Sequence, residues 1–483
     1  MVKKLIGFLI LSASVVFLQA QSYHSLQGSS YAGSIGVHNN PSSIVNTPYK
    51  WDLTLLGVQA KFSTNFLEVR NYSLLSPAAK SEYIFNAGSF KRYVITNATI
   101  NLLNARIALN RQKVIAFGAN LRNYAFIKTS DYNFYDTLKK VGDFFSLNER
   151  NQPLTLDFVN SGWIELYASY AQTIFDNEFV RLNAGATLKL SRGISGAHAS
   201  LQGGKFERIP AGDPPGYSIT GADARFGYSS NYDRWSNSNS QAANIQNFLK
   251  FTEGGASVDV GAELLIKSQA VPGYDEENYF DYDWKLGLSI LDLGINQYKY
   301  GLQSRSISGV RAGITNIDIN QKFDSTINSI KRFDDSLATI VNQNTSLSGK
   351  FRIINPTRMV LNVDRYLAGN FYVNGELSIN LSAVFGKKWL YVKEMNLVTI
   401  TPRWETKRLG FYMPVTYNTQ KQFWIGAGVK AGPVLLGLHN LAYLFSSKSI
   451  HKGGGYIAII IRAPNDTGKK YDKTLNCPPG TIR

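Results

Sequence analysis

Residues 371–385 read FYVNGELSINLSAVF, and their strict alternation limits what this chain can fold into. Phe371, Val373, Leu377, Ile379, Leu381, Ala383 and Phe385 fall on one face, while Tyr372, Asn374, Glu376, Ser378, Asn380 and Ser382 fall on the other. Period two marks a strand that is apolar on one side only. As one strand, the stretch would be about three times the usual length of ~5–6 residues. Such a strand needs a wide apolar surrounding on one side and water or polar groups on the other.

The pattern recurs. In VRLNAGATLKLS, Val180, Leu182, Ala184, Ala186, Leu188 and Leu190 oppose Arg181, Asn183, Thr187 and Lys189. RLGFYMPVTYN and QFWIGAGVKAG repeat it with Phe411, Val415, Phe423 and Val429 on the apolar side. Segments of this kind predict roughly 14–16 strands. They lie near 50–62, 94–109, 112–127, 162–175, 178–193, 217–229, 255–267, 282–295, 306–316, 356–367, 371–386, 395–406, 408–418, 421–431, 433–442 and 454–462. A soluble sandwich also alternates, burying its apolar face against a second sheet. Two features speak against it: the strands exceed the ~9–11 residues that cross a bilayer at a tilt, and the opposite faces carry Arg181, Lys189, Glu376, Arg408 and Lys430. The expected fold is all-β, a transmembrane antiparallel β-barrel with long loops. In lipid, only a closed sheet satisfies every backbone group. Leu377, Ile379 and Leu381 are expected to face lipid.

The chain opens MVKKLIGFLILSASVVFLQAQS. A basic start and an apolar run too short to span a membrane read as a signal peptide, residues 1–20. The expected organisation is then an N-terminal hatch segment over 21–48, the barrel over 49–463 and a flexible tail over 464–483. The tail, APNDTGKKYDKTLNCPPGTIR, holds the single cysteine, Cys477, so no internal disulfide framework exists. Export and a barrel together point to the outer membrane of a Gram-negative bacterium, with its lipid as first partner.

Catalytic and metal patterns are missing. The five histidines have no HExxH spacing, and there is no nucleophile elbow, Walker A loop or dinucleotide fingerprint. The chain is read as a non-enzyme without catalytic residues, metal site or cofactor. YDEENYFDYDW, residues 274–284, gathers five carboxylates but lacks the EF-hand spacing, and reads as a solvated acidic loop. The formal net charge of +17 suits lipid phosphates, acidic glycans or rims without a dedicated ligand. Nucleic acid is not expected, because no nucleic-acid motif occurs.

Long and short connections alternate, as an up-and-down barrel requires, with one exception at Ser230–Gly254. That connection includes SQAANIQNFLKF, a candidate helix. A second helix is expected over INQKFDSTINSIKRFDDSLATIV, where Phe323, Ile327, Ile330 and Leu337 recur at helical steps. Its stripe either packs over a barrel mouth or offers a surface to a protein partner.

Near the N-terminus stands YAGSIGVHNNPSSIVNT. Its Asn40-Pro41-Ser42 resembles the Asn-Pro-Ala hatch segment of FadL-like barrels, a class that includes PorV-type barrels. WKLGLSILDLGINQYKY (284–300), ITPRWETKRLGFYMPVTYN (400–418) and GAGVKAGPVLLGLHNL (426–441) resemble a family of unknown function among Bacteroidota outer-membrane barrels. That resemblance implies fold and little chemistry. It implies a small luminal hatch in which Asn40, Pro41 and Ser42 gate a ligand. Small residues such as Gly28, Ser29, Gly33 and Ser34 let the segment turn tightly, and Pro41 biases Asn40 toward an extended backbone. Two function classes stay open: transport of a hydrophobic or small solute, and a scaffold barrel with protein partners in a secretion or envelope complex.

Overall fold

The computed structural model describes residues 23–70, 82–138, 140–210, 216–236, 238–267, 282–385, 389–442 and 450–463. The signal peptide, the tail with Cys477 and most of the acidic loop lie outside the described residues.

Fourteen staves form a closed antiparallel barrel. They are β1 (Trp51–Thr64), β2 (Gly88–Ala108), β3 (Lys113–Phe134), β4 (Leu154–Asp176) and β5 (Val180–Ile209). Then come β6 (Glu253–Ile266), β7 (Trp284–Lys299), β8 (Lys350–Ile354 with Arg358–Ala368), β9 (Phe371–Asn380) and β10 (Leu397–Glu405). The last are β11 (Leu409–Tyr412 with Val415–Asn418), β12 (Phe423–Ile425 with Ala427–Ala431), β13 (Val434–Leu438) and β14 (Lys452–Arg462). The register Asp52↔Arg462 through Ser63↔Lys452 joins β14 back to β1, so the ring has no edge.

Alternation sorts the side chains. On β5, Leu188 and Leu190 are 55% and 61% exposed, while Lys189 between them is 2% exposed. The apolar face therefore points out and the charged face points into the ring, the reverse of a soluble protein.

Three sequence expectations need correction. The strands expected at 217–229 and 306–316 are not staves. Gly216–Tyr228 pairs with the upper half of β5, Arg305–Val310 pairs with that strand, and Val341–Ser346 pairs with Arg305–Val310. Together they extend the sheet beyond one barrel mouth. Alternation alone does not distinguish such an extension from a stave, because both are half-buried sheets. With Gly216–Tyr228 and Ser230–Gly254 inside one connection, Ser230–Gly254 falls on the same side as the long connections after β1, β3 and β7, and that exception disappears; the connection over residues 267–283 is the long one on the opposite side.

The second correction concerns residues 371–385. The strand stops at Asn380, and Ser382–Phe385 is a 3-10 turn. The Asn380 side chain accepts from the Ser382 N–H at 3.1 Å, while its own N–H donates to Asn396 Oδ1 at 2.6 Å. This Asx turn ends the ladder although the apolar pattern runs on. Leu377 and Ile379 sit half-buried on the outward face, opposite the inward Glu376 and Ser378. Leu381 lies past the strand end, its N–H donating to Thr357 O at 2.7 Å.

The third is the helix expected over 319–341. It is two helices, Asn316–Lys322 and Ile330–Ala338. Between them Asp324 accepts from the Thr326 N–H at 2.8 Å, and Ser329 caps the second helix. These side chains compete with helix continuation.

Candidate functional site in the lumen

Residues 23–49 lie inside the ring as short 3-10 turns, Gly33–His38 and Pro41–Val45 among them, and contribute no strand to the barrel. Small residues make the tight turns possible, and Pro41 opens the second turn where its missing N–H costs nothing. Asn40 is extended, with φ −159° and ψ 115°. Its Oδ1 accepts from the Ser42 N–H at 3.0 Å and the Ser42 hydroxyl at 2.7 Å, while its Nδ2 donates to Ala262 O on β6 at 3.1 Å. Asn40, Pro41 and Ser42 are all buried.

The wall is shaped for this segment. A Cβ at Gly261 would stand 2.0 Å from Asn40 Oδ1, and one at Gly185 would stand 2.7 Å from the Pro41 carbonyl carbon. Only glycine admits so close an approach.

Much of the grip is polar. Arg106 donates to Ile44 O at 2.7 Å and Tyr49 O at 2.8 Å; Arg358 donates to His38 O at 3.1 Å. Arg403 donates to Gly28 O and Arg462 to Tyr31 O, each at 3.3 Å. Ser29 donates to Glu405 at 2.7 Å, and the Ser34 N–H donates to Asp52 at 2.5 Å. Buried carbonyls cannot be left unpaired, and arginine supplies charge-assisted donors. Apolar clusters complete the seat: Tyr23, Leu26 and Ile35 pack with Tyr412, Leu435 and Ile460, while Val37, Ile44 and Val45 pack with Val114 and Tyr167.

His38 sits at the heart of this seat, its ring 5.2 Å from that of Tyr167. Burial first, then the nearby cations of Lys189 and Arg122, push its imidazole down to about 3.

Above the segment the lumen is filled by paired charges. Arg122 holds Asp292 with two bonds of 2.6 and 2.7 Å, and Lys189 bridges Asp292 at 2.7 Å and Asp259 at 2.6 Å. Asp292 adopts φ +59° at a bulge in β7, with its N–H on Asp259 Oδ1 at 2.7 Å. The bulge re-aims this carboxylate into the network. Against the segment itself, beside Gly28, the wholly buried Arg403 and Asp364 form a second bidentate pair at 2.5 and 2.7 Å. Removing one member of such a pair leaves a buried charge uncompensated.

The outer mouth is narrowed by the connection after β9. Leu390–Tyr391 pairs parallel with Ile353–Ile354, and Glu394, buried beside it, reaches Lys61 at 3.0 Å and Arg358 at 3.4 Å. A cavity of about 20 Å³ lies between the N-terminal segment and the wall, lined by Gln27, Asn39, Asn40, Glu263 and Asn362. That is room for one water and too little for a solute.

Of the candidate hatch, lipid-facing and partner-facing residues expected from the sequence, Asn40, Pro41 and Ser42 lie in this assembly, as do the small residues Gly28, Ser29 and Ser34 and the inward-facing Lys189. Phe323 and Leu337 pack over Ile307, Ile340 and Val341 of the sheet extension, while Ile327 and Ile330 are half-buried beside them. Sequence reading missed Arg106, Arg358, Arg403, Asp292 and Glu394. For the three arginines the only signal was a charge at an inward-facing position of an alternating strand, which reads equally as a wet channel; Asp292 is brought inward by a bulge and Glu394 lies in a connection, so alternation marked neither. Among the described residues no cluster of His, Cys, Asp and Glu is arranged to hold a metal ion.

A family model described as "Family of unknown function (DUF5723)" matches residues 41–438. No curated protein matches the chain. Among solved structures, a Pseudomonas aeruginosa FadL homologue is similar with 9% identity and a TM-score of 0.42, covering 92% of this chain and 98% of that one. The P. putida toluene transporter TodX aligns with 10% identity and a TM-score of 0.38, covering 89% and 93%. The Escherichia coli outer membrane protease OmpT aligns with 8% identity and a TM-score of 0.22, covering 86% and 95%.

Proposed function

The chain belongs to this family of unknown function, and we propose from its own geometry that it is an outer-membrane barrel stoppered by its N-terminal segment. In this reading residues 23–49 are a hatch, with Asn40, Pro41 and Ser42 as its latch, and its displacement lets a hydrophobic or small solute pass. Membrane insertion is supported by the outward apolar face on a sheet without edges.

One observation carries the gating idea. The ring closes through β14 and β1 without the hatch, which adds no strand to the ladder. Moving it therefore breaks no stave pairing. Displacement opens side-chain hydrogen bonds that water can replace, together with two small apolar clusters.

Ser34 and Thr54 supply the test, since their hydroxyls stand 2.8 Å apart across the hatch–wall boundary. In a Cys477→Ser background, Ser34→Cys with Thr54→Cys can be oxidised to lock the hatch. Flux of a hydrophobic tracer into proteoliposomes should fall on oxidation and return on reduction. Flux indifferent to the lock refutes hatch gating.

The filled lumen favours a second reading, a scaffold for an envelope or secretion complex. The sheet extension bearing Phe323, Ile327, Ile330 and Leu337 would then be the partner-facing part. Partners retained on affinity purification with the hatch locked, together with absent flux, would support it.

A further inference from the structure

We propose that the outer rim of β5–β8 is a binding site for a phosphate-bearing lipid of the outer leaflet. This rests on the membrane reading above. The outward face of β7 is apolar from Trp284 through Leu286, Leu288, Leu293 and Ile295. At ~3.3 Å per residue and a tilt near ~40°, Leu286 to Ile295 rises about 23 Å, close to the ~25 Å apolar band of such barrels. The outward positions that follow belong at headgroup level, and they are cationic.

Lys299 on β7 stands directly opposite Lys350 on β8, with Arg352 opposite Gln297 two residues below on the same face. Like charges placed directly across a strand pair destabilise it. Elsewhere on this rim the same positions are compensated, Lys91 facing Asp131 and Lys128 facing Asp157. Among the described residues the acid within reach here is Glu253, which bonds Lys350 at 2.7 Å. That leaves Lys299 and Arg352 with excess positive charge.

A fourth cation borders the same patch. Arg192 on β5 is exposed, paired in register with Gly254 on β6, and donates to Thr252 O at 2.8 Å. Gly254 is open above: a Cβ there would find its nearest atom, Ser191 O, at 4.0 Å. The surface between Arg192 and Lys299 is thus a shallow slot with a small-residue floor, basic on both sides and continuous below with Leu190, Val258 and Leu293.

The adjoining helix, Gln241–Lys250, points the same way. Phe248 packs inward on Tyr232, yet Ile245, Leu249 and Phe251 are exposed, and the Arg234 guanidinium lies 3.4 Å over the Phe251 ring. Exposed apolar side chains beside basic ones suit the boundary between acyl chains and headgroups. A lipid with phosphate in the slot and its chains on the apolar belt satisfies both halves of the surface, whereas free phosphate satisfies one.

The test uses the barrel reconstituted in phosphatidylcholine vesicles with and without diphosphoryl lipid A, and native mass spectrometry from uncharged detergent. The wild type should retain lipid A. Lys299→Gln, Lys350→Gln and Arg352→Gln together should weaken retention about tenfold or more, as loss of charged hydrogen bonds implies. Lys128→Gln should leave it unchanged, and dephosphorylated lipid A should bind poorly. Equal retention by wild type and triple variant overturns the site, as does displacement by millimolar inorganic phosphate. Failure to insert in phosphatidylcholine would instead refute the membrane reading, while insertion without lipid A preference refutes only this inference.

Discussion

At the residue scale, His38 shows how the lumen chooses protonation states. Its imidazole is held near 3 by burial and by the Lys189 and Arg122 cations, against ~6.5 in an unfolded chain. Between those values the exposed histidine binds a proton that the seated one refuses. Hatch seating therefore strengthens as pH rises through this window and is progressively lost as pH falls from ~6.5 toward ~3. Ordinary carboxylates titrate near ~4, so the upper part of the slope belongs to His38. Thiol labelling of Ser43→Cys, in a Cys477→Ser background and taken relative to the urea-unfolded chain at each pH to remove the thiolate's own pH dependence, should rise as pH is lowered from ~6.5 to ~5. His38→Gln should flatten that rise; an unchanged curve would mean that His38 does not control seating.

At the element scale, β9 separates pattern from ladder. Its apolar alternation runs to Phe385, yet hydrogen bonding ends at Asn380 because the Asn380 carboxamide captures the Ser382 N–H. A charge at a lipid-facing position near mid-strand costs about 2–4 kcal/mol and one near the interface about 0–1. Leu377→Arg should show the larger cost by urea unfolding from vesicles, and Leu381→Arg the smaller. Equal costs at the two positions would restore a continuous fifteen-residue span over 371–385. Helix breaking at Asp324 follows the same logic, since a short polar side chain outcompetes the helical pattern around it.

At the scale of the whole molecule, the question is whether the hatch stoppers the barrel. A ring of this size with nothing inside would approach the open channel of larger porins. Deleting residues 28–44 should give large steady conductances in planar bilayers that the intact protein lacks, and unchanged conductance would mean that the segment plugs nothing. The sequence by itself determined the barrel, because alternation with period two sorts each side chain to one face without reference to distant residues. Asn40-Pro41-Ser42 stood out only through its resemblance to a hatch segment, and Pro41 by itself implied no more than an extended Asn40. Only the tertiary structure decided that Gly216–Tyr228 is an extension rather than a stave, since both bury one face equally. Likewise, only closure of the ring brought Arg106, Arg358, Arg403 and Arg462 around one segment. Those arginines lie far apart in the chain, and local alternation records only that each faces inward. What each one meets there is set by strand register and by the chain folded inside the ring.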